Sequence, residues 1–187
     1  MTTLKYDRPQ ADEATSTTAA PIVRLASRKL VAIVALVAMV IGAGSMLGGV
    51  AGAAFTWQQA AVEDITTPGD AMLPEVPVRG PLSMYAQSEI ITEHQLDRTE
   101  GLRYSQMDRE VAAVDEAGQP IVGDDGEPMM VENADRMSWI DATSLTTVLN
   151  VGIMAYALAA FAFVVGLTLL GVGTVLWQLR RQLPAIA

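Results

Sequence analysis

The sequence predicts a membrane α fold: a two-transmembrane-helix hairpin carrying a small extracytoplasmic α+β segment. Three observations predict it. Leu145 to Trp177 contains no charged residue, and at 1.5 Å per residue it makes about 50 Å of helix against a hydrocarbon core of about 30 Å. Leu30 to Phe55 is also free of charge and long enough to cross. Between them, Gln58 to Thr143 holds 18 Asp and Glu against 5 Arg, a net −13 (5 minus 18). Two spans in sequence leave that acidic stretch wholly on one side. The expected divisions are a cytoplasmic tail over 1–29, a first span over 30–55, an acidic outer segment over 56–143, a second span over 144–178 and a short tail over 179–187.

Composition narrows the chemistry. Of the 187 residues 51% are hydrophobic and 5% aromatic, and because the apolar residues gather in two blocks, the middle cannot hide a large core. The absence of cysteine removes disulfides, thiolate metal sites, a nucleophilic thiol and a lipid-modified cysteine. A surface as acidic as the outer segment repels nucleic acid.

Met1 to Pro21, rich in Thr, Ala and Pro, cannot bury enough apolar area to offset the entropy of ordering and reads as a disordered tail. Arg24, Arg28 and Lys29 then crowd the entrance to the first apolar run, and Arg180 and Arg181 follow the second. Positive charge beside a span marks the cytoplasmic side. Both termini are therefore expected in the cytoplasm, in a multi-pass protein of the cell membrane whose middle faces out. The rival for the first run is a secretory signal peptide, with Ala51-Gly52-Ala53 as a small-x-small cleavage site. Its apolar stretch exceeds the roughly 7 to 15 residues of a signal h-region.

Gly44, Gly48 and Gly52 fall four apart, with Ser45 and Gly49 offset by one. In lipid such a stripe lets a second backbone approach closely, gaining van der Waals contact where no hydrophobic force between helices exists. The second span offers Ala155, Ala159, Ala162 and Gly166 at comparable spacing. The two stripes could pack on each other as a hairpin, or either could dock on a foreign helix, with membrane lipid around the rest.

In the outer segment, Trp57 suits the membrane interface. Thr67-Pro68-Gly69-Asp70, Pro74, Pro77 and Gly80-Pro81 predict an extended or turning connection. From Leu82 to Arg98, Leu82, Tyr85, Ala86, Ile90, Ile91 and His94 recur near helical spacing, predicting one amphipathic helix that Gly101 ends. Tyr104 onward adds another turn or two. Val111 to Val131 reads as a small β-hairpin, with turn chemistry around Ala117-Gly118-Gln119-Pro120, Asp124-Asp125-Gly126-Glu127-Pro128, or both. Met137 to Thr147 holds no helix breaker, so the second long helix is expected to start outside the bilayer, with Trp139 near the headgroups and Asp141 just above the apolar run. Asn150, further in, favours a hydrogen bond across helices or a local one.

No catalytic constellation emerges, and no enzyme is expected. His94 is the single histidine, so a histidine-rich metal site is excluded. The carboxylates Asp115, Glu116, Asp124, Asp125 and Glu127 lack the alternate spacing of an EF-hand loop and read as solvated turns. No serine stands in a nucleophile-elbow or Ser-x-x-Lys context, and no glycine-rich phosphate loop appears. Neither apolar run holds the ionisable residues a transport pathway needs.

Gly80-Pro81-Leu82-Ser83-Met84-Tyr85-Ala86-Gln87, then Ile90-Ile91, His94, Leu96, Thr99, Gly101, Tyr104 and Asp108, resemble a family of small two-span actinobacterial membrane proteins. The likeness continues from Met137 to Ala157, while Val111 to Asn133 is longer than is usual there. Relatives of this kind are often labelled aromatic ring-opening dioxygenases, an activity this sequence contradicts, because a two-histidine, one-carboxylate iron site cannot be built from one histidine. Within the group, size, topology and acidic outer segment look like the accessory subunit, or supercomplex association factor, of the respiratory electron transport assembly that joins cytochrome bcc to the aa3-type cytochrome oxidase. The resemblance implies a non-catalytic protein without a cofactor of its own, whose partners are integral membrane subunits of those two complexes. Gly44, Gly48, Gly52, Ala155, Ala159 and Gly166 would supply helix-packing faces, and Tyr85, His94, Trp139 and Asp141 contacts outside the membrane. The alternative class is a free-standing envelope protein acting as a ligand-binding sensor or adaptor.

Overall fold

A computed structural model describes residues 28–182; the expected disorder of the N-terminal tail, the basic Arg24 and the end of the closing tail lie outside them. Helix α1 runs from Arg28 to Val62 and helix α3 from Ala134 to Leu179. With 35 and 46 residues, they are about 52 and 69 Å long. Both are long and apolar enough to cross a membrane.

The two helices pack antiparallel along a seam of small residues, with Met39, Met46, Phe163 and Leu170 beside them. Ala35, Gly42 and Gly49 of α1 and Ala159, Gly166 and Gly173 of α3 are buried, each set recurring at seven-residue intervals. Gly42 lies against Gly166, Gly49 against Ala159 and Gly173 against Ala35. A Cβ placed on Gly49 would stand 2.5 Å from the Ala159 carbonyl oxygen, and one on Gly166 2.5 Å from that of Gly42. The approach is backbone on backbone.

Seven residues bring a helix round to within about 20° of its starting azimuth, so a heptad stripe runs nearly along the axis and keeps two shallowly crossed helices in contact for their length. Small residues four apart suit a steeper, right-handed crossing of about −40°. This corrects the expected hairpin contact on α1. Gly44 and Gly48 are exposed, with open space where a Cβ would be, and Gly52 is half-buried at the seam's margin, 3.8 Å from the Ala159 Cβ by the same measure. On α3, Ala159 and Gly166 do join the seam, whereas Ala155 and Ala162 are only half-buried.

A small head caps one end of this hairpin. Residues 63–80 form a closed loop, pinned by the bridge between Thr66 and Pro77. The Thr67 hydroxyl, fully buried, donates to the Leu73 carbonyl and accepts from the Val76 N–H at 2.9 Å. Helix α2 (Pro81–Arg98) follows, starting on Pro81, whose fixed φ suits a first helical position. Ser83 Oγ accepts from the Gly80 N–H at 3.2 Å and occupies the third position of the helix. Helix α2 lies antiparallel to α3: Met84 reaches Gly152 and Gln95 donates to Ser138 Oγ at 2.6 Å. The buried set is Met84, Ala86, Ile90, Ser83, Ser88 and Gln95. That rotates the expected apolar face, for Leu82, Tyr85 and His94 are exposed and Ile91 is half-buried. Together with Ala71, Val78, Trp139 and Ala142, these side chains make the head's core.

After a single 3-10 turn, Tyr104–Gln106, strand β1 (Glu110–Ala112) pairs antiparallel with β2 (Met130–Glu132), Val111 opposite Val131. Between them lie two tight turns instead of one hairpin loop. Val114 bridges Pro120 and Val122 bridges Pro128, in the repeated pattern Val-x-x-x-Gly-x-Pro. Gly118 and Gly126 take φ of 76° and 81°, left-handed values that favour glycine. Three backbone bonds close a ring: Ala113 N–H donates to Met129 O, Met129 N–H to Ile121 O and Ile121 N–H to Ala113 O. With Ala112 opposite Met130 as the third bridge, the unit is a ring of three strand pairs, two of them closed by tight turns, with approximate threefold symmetry. Asn133 ties its root to α3 as the helix N-cap. Its Oδ1 accepts from the Arg136 N–H at 3.1 Å and its Nδ2 donates to the Asp108 carbonyl at 3.0 Å, so one side chain satisfies a free helix donor and a loop acceptor.

Candidate functional site

Four outer residues were expected to meet a partner; the fold brings His94 and Asp141 to one groove and places Tyr85 and Trp139 apart from them. Tyr85 lies on the exposed side of α2 and donates its hydroxyl to Glu89 Oε1 at 2.6 Å. That bond to a carboxylate holds the phenol above its usual pKa. Tyr85 shares a groove of about 550 Å³ with Glu89, Glu93, Asp97 and, across on α3, Asn150. His94 and Asp141 share a second groove, of about 260 Å³, with Gln95, Arg98 and Ala142. His94 Nε2 lies 2.7 Å from Asp70 Oδ2, which joins the 63–80 loop to α2. The bond to His94 holds the Asp70 carboxyl below its ordinary value, with help from a backbone N–H.

Trp139 is a correction. Only 6% exposed, it sits inside the head. Its Nε1 donates to the Leu102 carbonyl at 3.0 Å, and the Arg103 guanidinium lies 5.7 Å from the ring centroid. The same carbonyl accepts from the Thr99 hydroxyl at 2.6 Å. An indole with its N–H satisfied internally packs the end of α2 onto α3 and presents little surface to headgroups or a partner. Asn150 is exposed and faces the Tyr85 groove.

Several residues that position these surfaces escaped the sequence reading. Tyr156, on the long apolar run, donates its hydroxyl to the Arg79 carbonyl at 2.6 Å, fixing the level at which α2 begins. Gly152 makes room for Met84, whose Sδ would lie 2.8 Å from a Cβ there. Arg79 in turn stands 5.4 Å from the ring centroid of Trp57, which is half-exposed. A phenol in an apolar stretch was the available signal, since a buried hydroxyl needs an acceptor.

Among the described residues no group of three or more His, Asp or Glu could hold a metal ion. Both grooves are shallow and open to water, and the surfaces that stand out are apolar: the exposed face of α1 around Gly44 and Gly48, and the β module. Comparison with known proteins returns no matching family model, no matching curated protein and no matching solved structure.

Proposed function

We propose that the chain is a non-catalytic, two-span membrane subunit that stabilises or assembles a respiratory complex, the cytochrome bcc and aa3-type oxidase assembly that its sequence resembles. The observation that carries the membrane part is the exposure of apolar side chains along two helices long enough to cross. In the most apolar 18-residue window of α1 and of α3, 11% and 6% of residues are buried. Leu47, Val148, Met154 and Leu158 are 68% to 72% exposed. A soluble protein's core helix buries such residues, each worth about 1.5 to 3 kcal/mol, so lipid or other helices must cover them here.

The seam's register supports a single orientation. One heptad beyond the contact of Ala35 with Gly173, Arg28 comes level with Arg180, so Lys29 and Arg181 lie at the same end. Positive charge gathered at one end favours a cytoplasmic location for both termini, with the acidic head outside. Trp57, Arg79 and the exposed Leu82 then fall at the outer boundary of the lipid.

The association part rests on Gly44 and Gly48. Because the hairpin seam uses Gly42 and Gly49, this second small-residue face stays open for a foreign helix. A tagged copy, solubilised from native membranes in mild detergent, should carry haem-containing cytochrome and oxidase subunits with it. Recovery of the tagged chain alone, with oxidase activity unchanged by its deletion, sinks this reading.

A further inference from the structure

The β module between Arg109 and Asn133 contributes nothing to the membrane hairpin and has no layer packed on it. In a ring of three such strand pairs, equivalent residues fall on the same face, and Val114, Val122 and Met130 are equivalent: spaced eight apart, they pair with Pro120, Pro128 and Ala112. They are 58%, 55% and 54% exposed. Ile121 and Met129, one residue earlier, are 39% and 50% exposed on the other face. A sheet one layer thick with apolar side chains bare on both faces is incomplete by itself.

Its charge selects what completes it. Residues 110–132 contain seven Asp and Glu and no Lys or Arg. Glu110 and Glu132, at the root, share a groove with Arg109 and Arg136, whereas Asp115, Glu116, Asp124, Asp125 and Glu127 stand on the two turns with no cation in their segment. An anionic lipid surface and nucleic acid are both repelled by this rim, and so is a second copy of the same module. We propose that the module is a docking surface for a protein whose contact face is apolar and edged with Lys or Arg. The apolar centre supplies contact area and the acidic rim steers and orients the approach.

The test places a photoreactive benzoylphenylalanine at Val122 in the full chain, in native membranes, with the same residue at Gly48 in a parallel strain. Irradiation at position 122 should give one dominant protein adduct whose cross-linked peptide is apolar with flanking Lys or Arg. The triple change Asp124→Asn, Asp125→Asn, Glu127→Gln keeps the turn geometry, since an amide oxygen still accepts the bond that Asp125 takes from the Glu127 N–H, and it should reduce the adduct about tenfold. Molar salt should do the same. No adduct, a lipid adduct, a dimer of this chain, a neutral or acidic cross-linked peptide, or a yield indifferent to charge overturns the inference. The Gly48 strain reports the helix-docking reading separately, so one can fail while the other stands.

Discussion

Asp70 and His94 couple a loop to a helix through one exposed contact of 2.7 Å. Because the folded-state pKa of Asp70 lies below its ordinary value of 3.8, the contribution of this carboxylate is fully present above that value and is lost as pH falls through the lowered pKa. The carboxyl resonance of Asp70 should therefore titrate below that of a free aspartate, and His94→Ala should return it toward 3.8; an unchanged midpoint refutes the coupling. Deeper in the head, Asn133→Ala removes an N-cap and the partner of the Asp108 carbonyl. The expected loss is about 1 to 2 kcal/mol, read from thermal unfolding of the purified protein followed by near-UV circular dichroism. Trp139→Phe removes the indole N–H, although the Leu102 carbonyl keeps the Thr99 hydroxyl, and it also leaves a void in the head, so it should cost about 1 to 3 kcal/mol.

At the scale of the helix, two neighbouring glycines of α1 separate two kinds of contact. A side chain on Gly49 would meet the Ala159 carbonyl oxygen and the backbone of Phe163, whereas one on Gly48 meets nothing within 4 Å. Gly49→Leu should force the hairpin apart and lower the thermal midpoint of the isolated chain. Gly48→Leu should leave that midpoint unchanged and weaken co-purification with partner subunits. If both variants behave alike, the division between an inner and an outer glycine face is wrong. Helix α2 offers a parallel case: its contact with α3 depends on Gly152, which Met84 fills, and on Gln95, whose amide reaches Ser138 and the Asp135 carbonyl.

As a whole the molecule is polar at one end and apolar along most of its length. At the head end α3 begins at Ala134, eleven residues before the apolar run that starts at Leu145, and Trp139 and Gln95 brace this first part of the helix against α2. The absence of native cysteine makes the orientation directly measurable. A single cysteine introduced as Ala117→Cys, on an exposed turn, should react with a membrane-impermeant maleimide added to intact cells. Arg181→Cys should react only after the membrane is opened. Labelling of both, or of residue 117 from the inside alone, would reverse or abolish the two-span topology.

Sequence alone determined the two long apolar helices, the amphipathic helix between them, the turns around Gly118 and Gly126 and the gathering of negative charge in the middle. These follow from local facts: uninterrupted hydropathy, helical spacing and residues that tolerate left-handed backbone. Two of the missed features were written there, the Val-x-x-x-Gly-x-Pro repeat and the seven-residue spacing of Ala35, Gly42 and Gly49. The repeat's meaning depends on the ring of bonds joining residues 113, 121 and 129. Which glycines close the hairpin, whether Trp139 faces outward or inward, and which side of α2 is buried were decided only by tertiary structure. Each depends on contacts between elements far apart in the chain, and a seam that runs the length of two helices takes residues seven apart over residues four apart because only the former stay on one side of a helix from end to end.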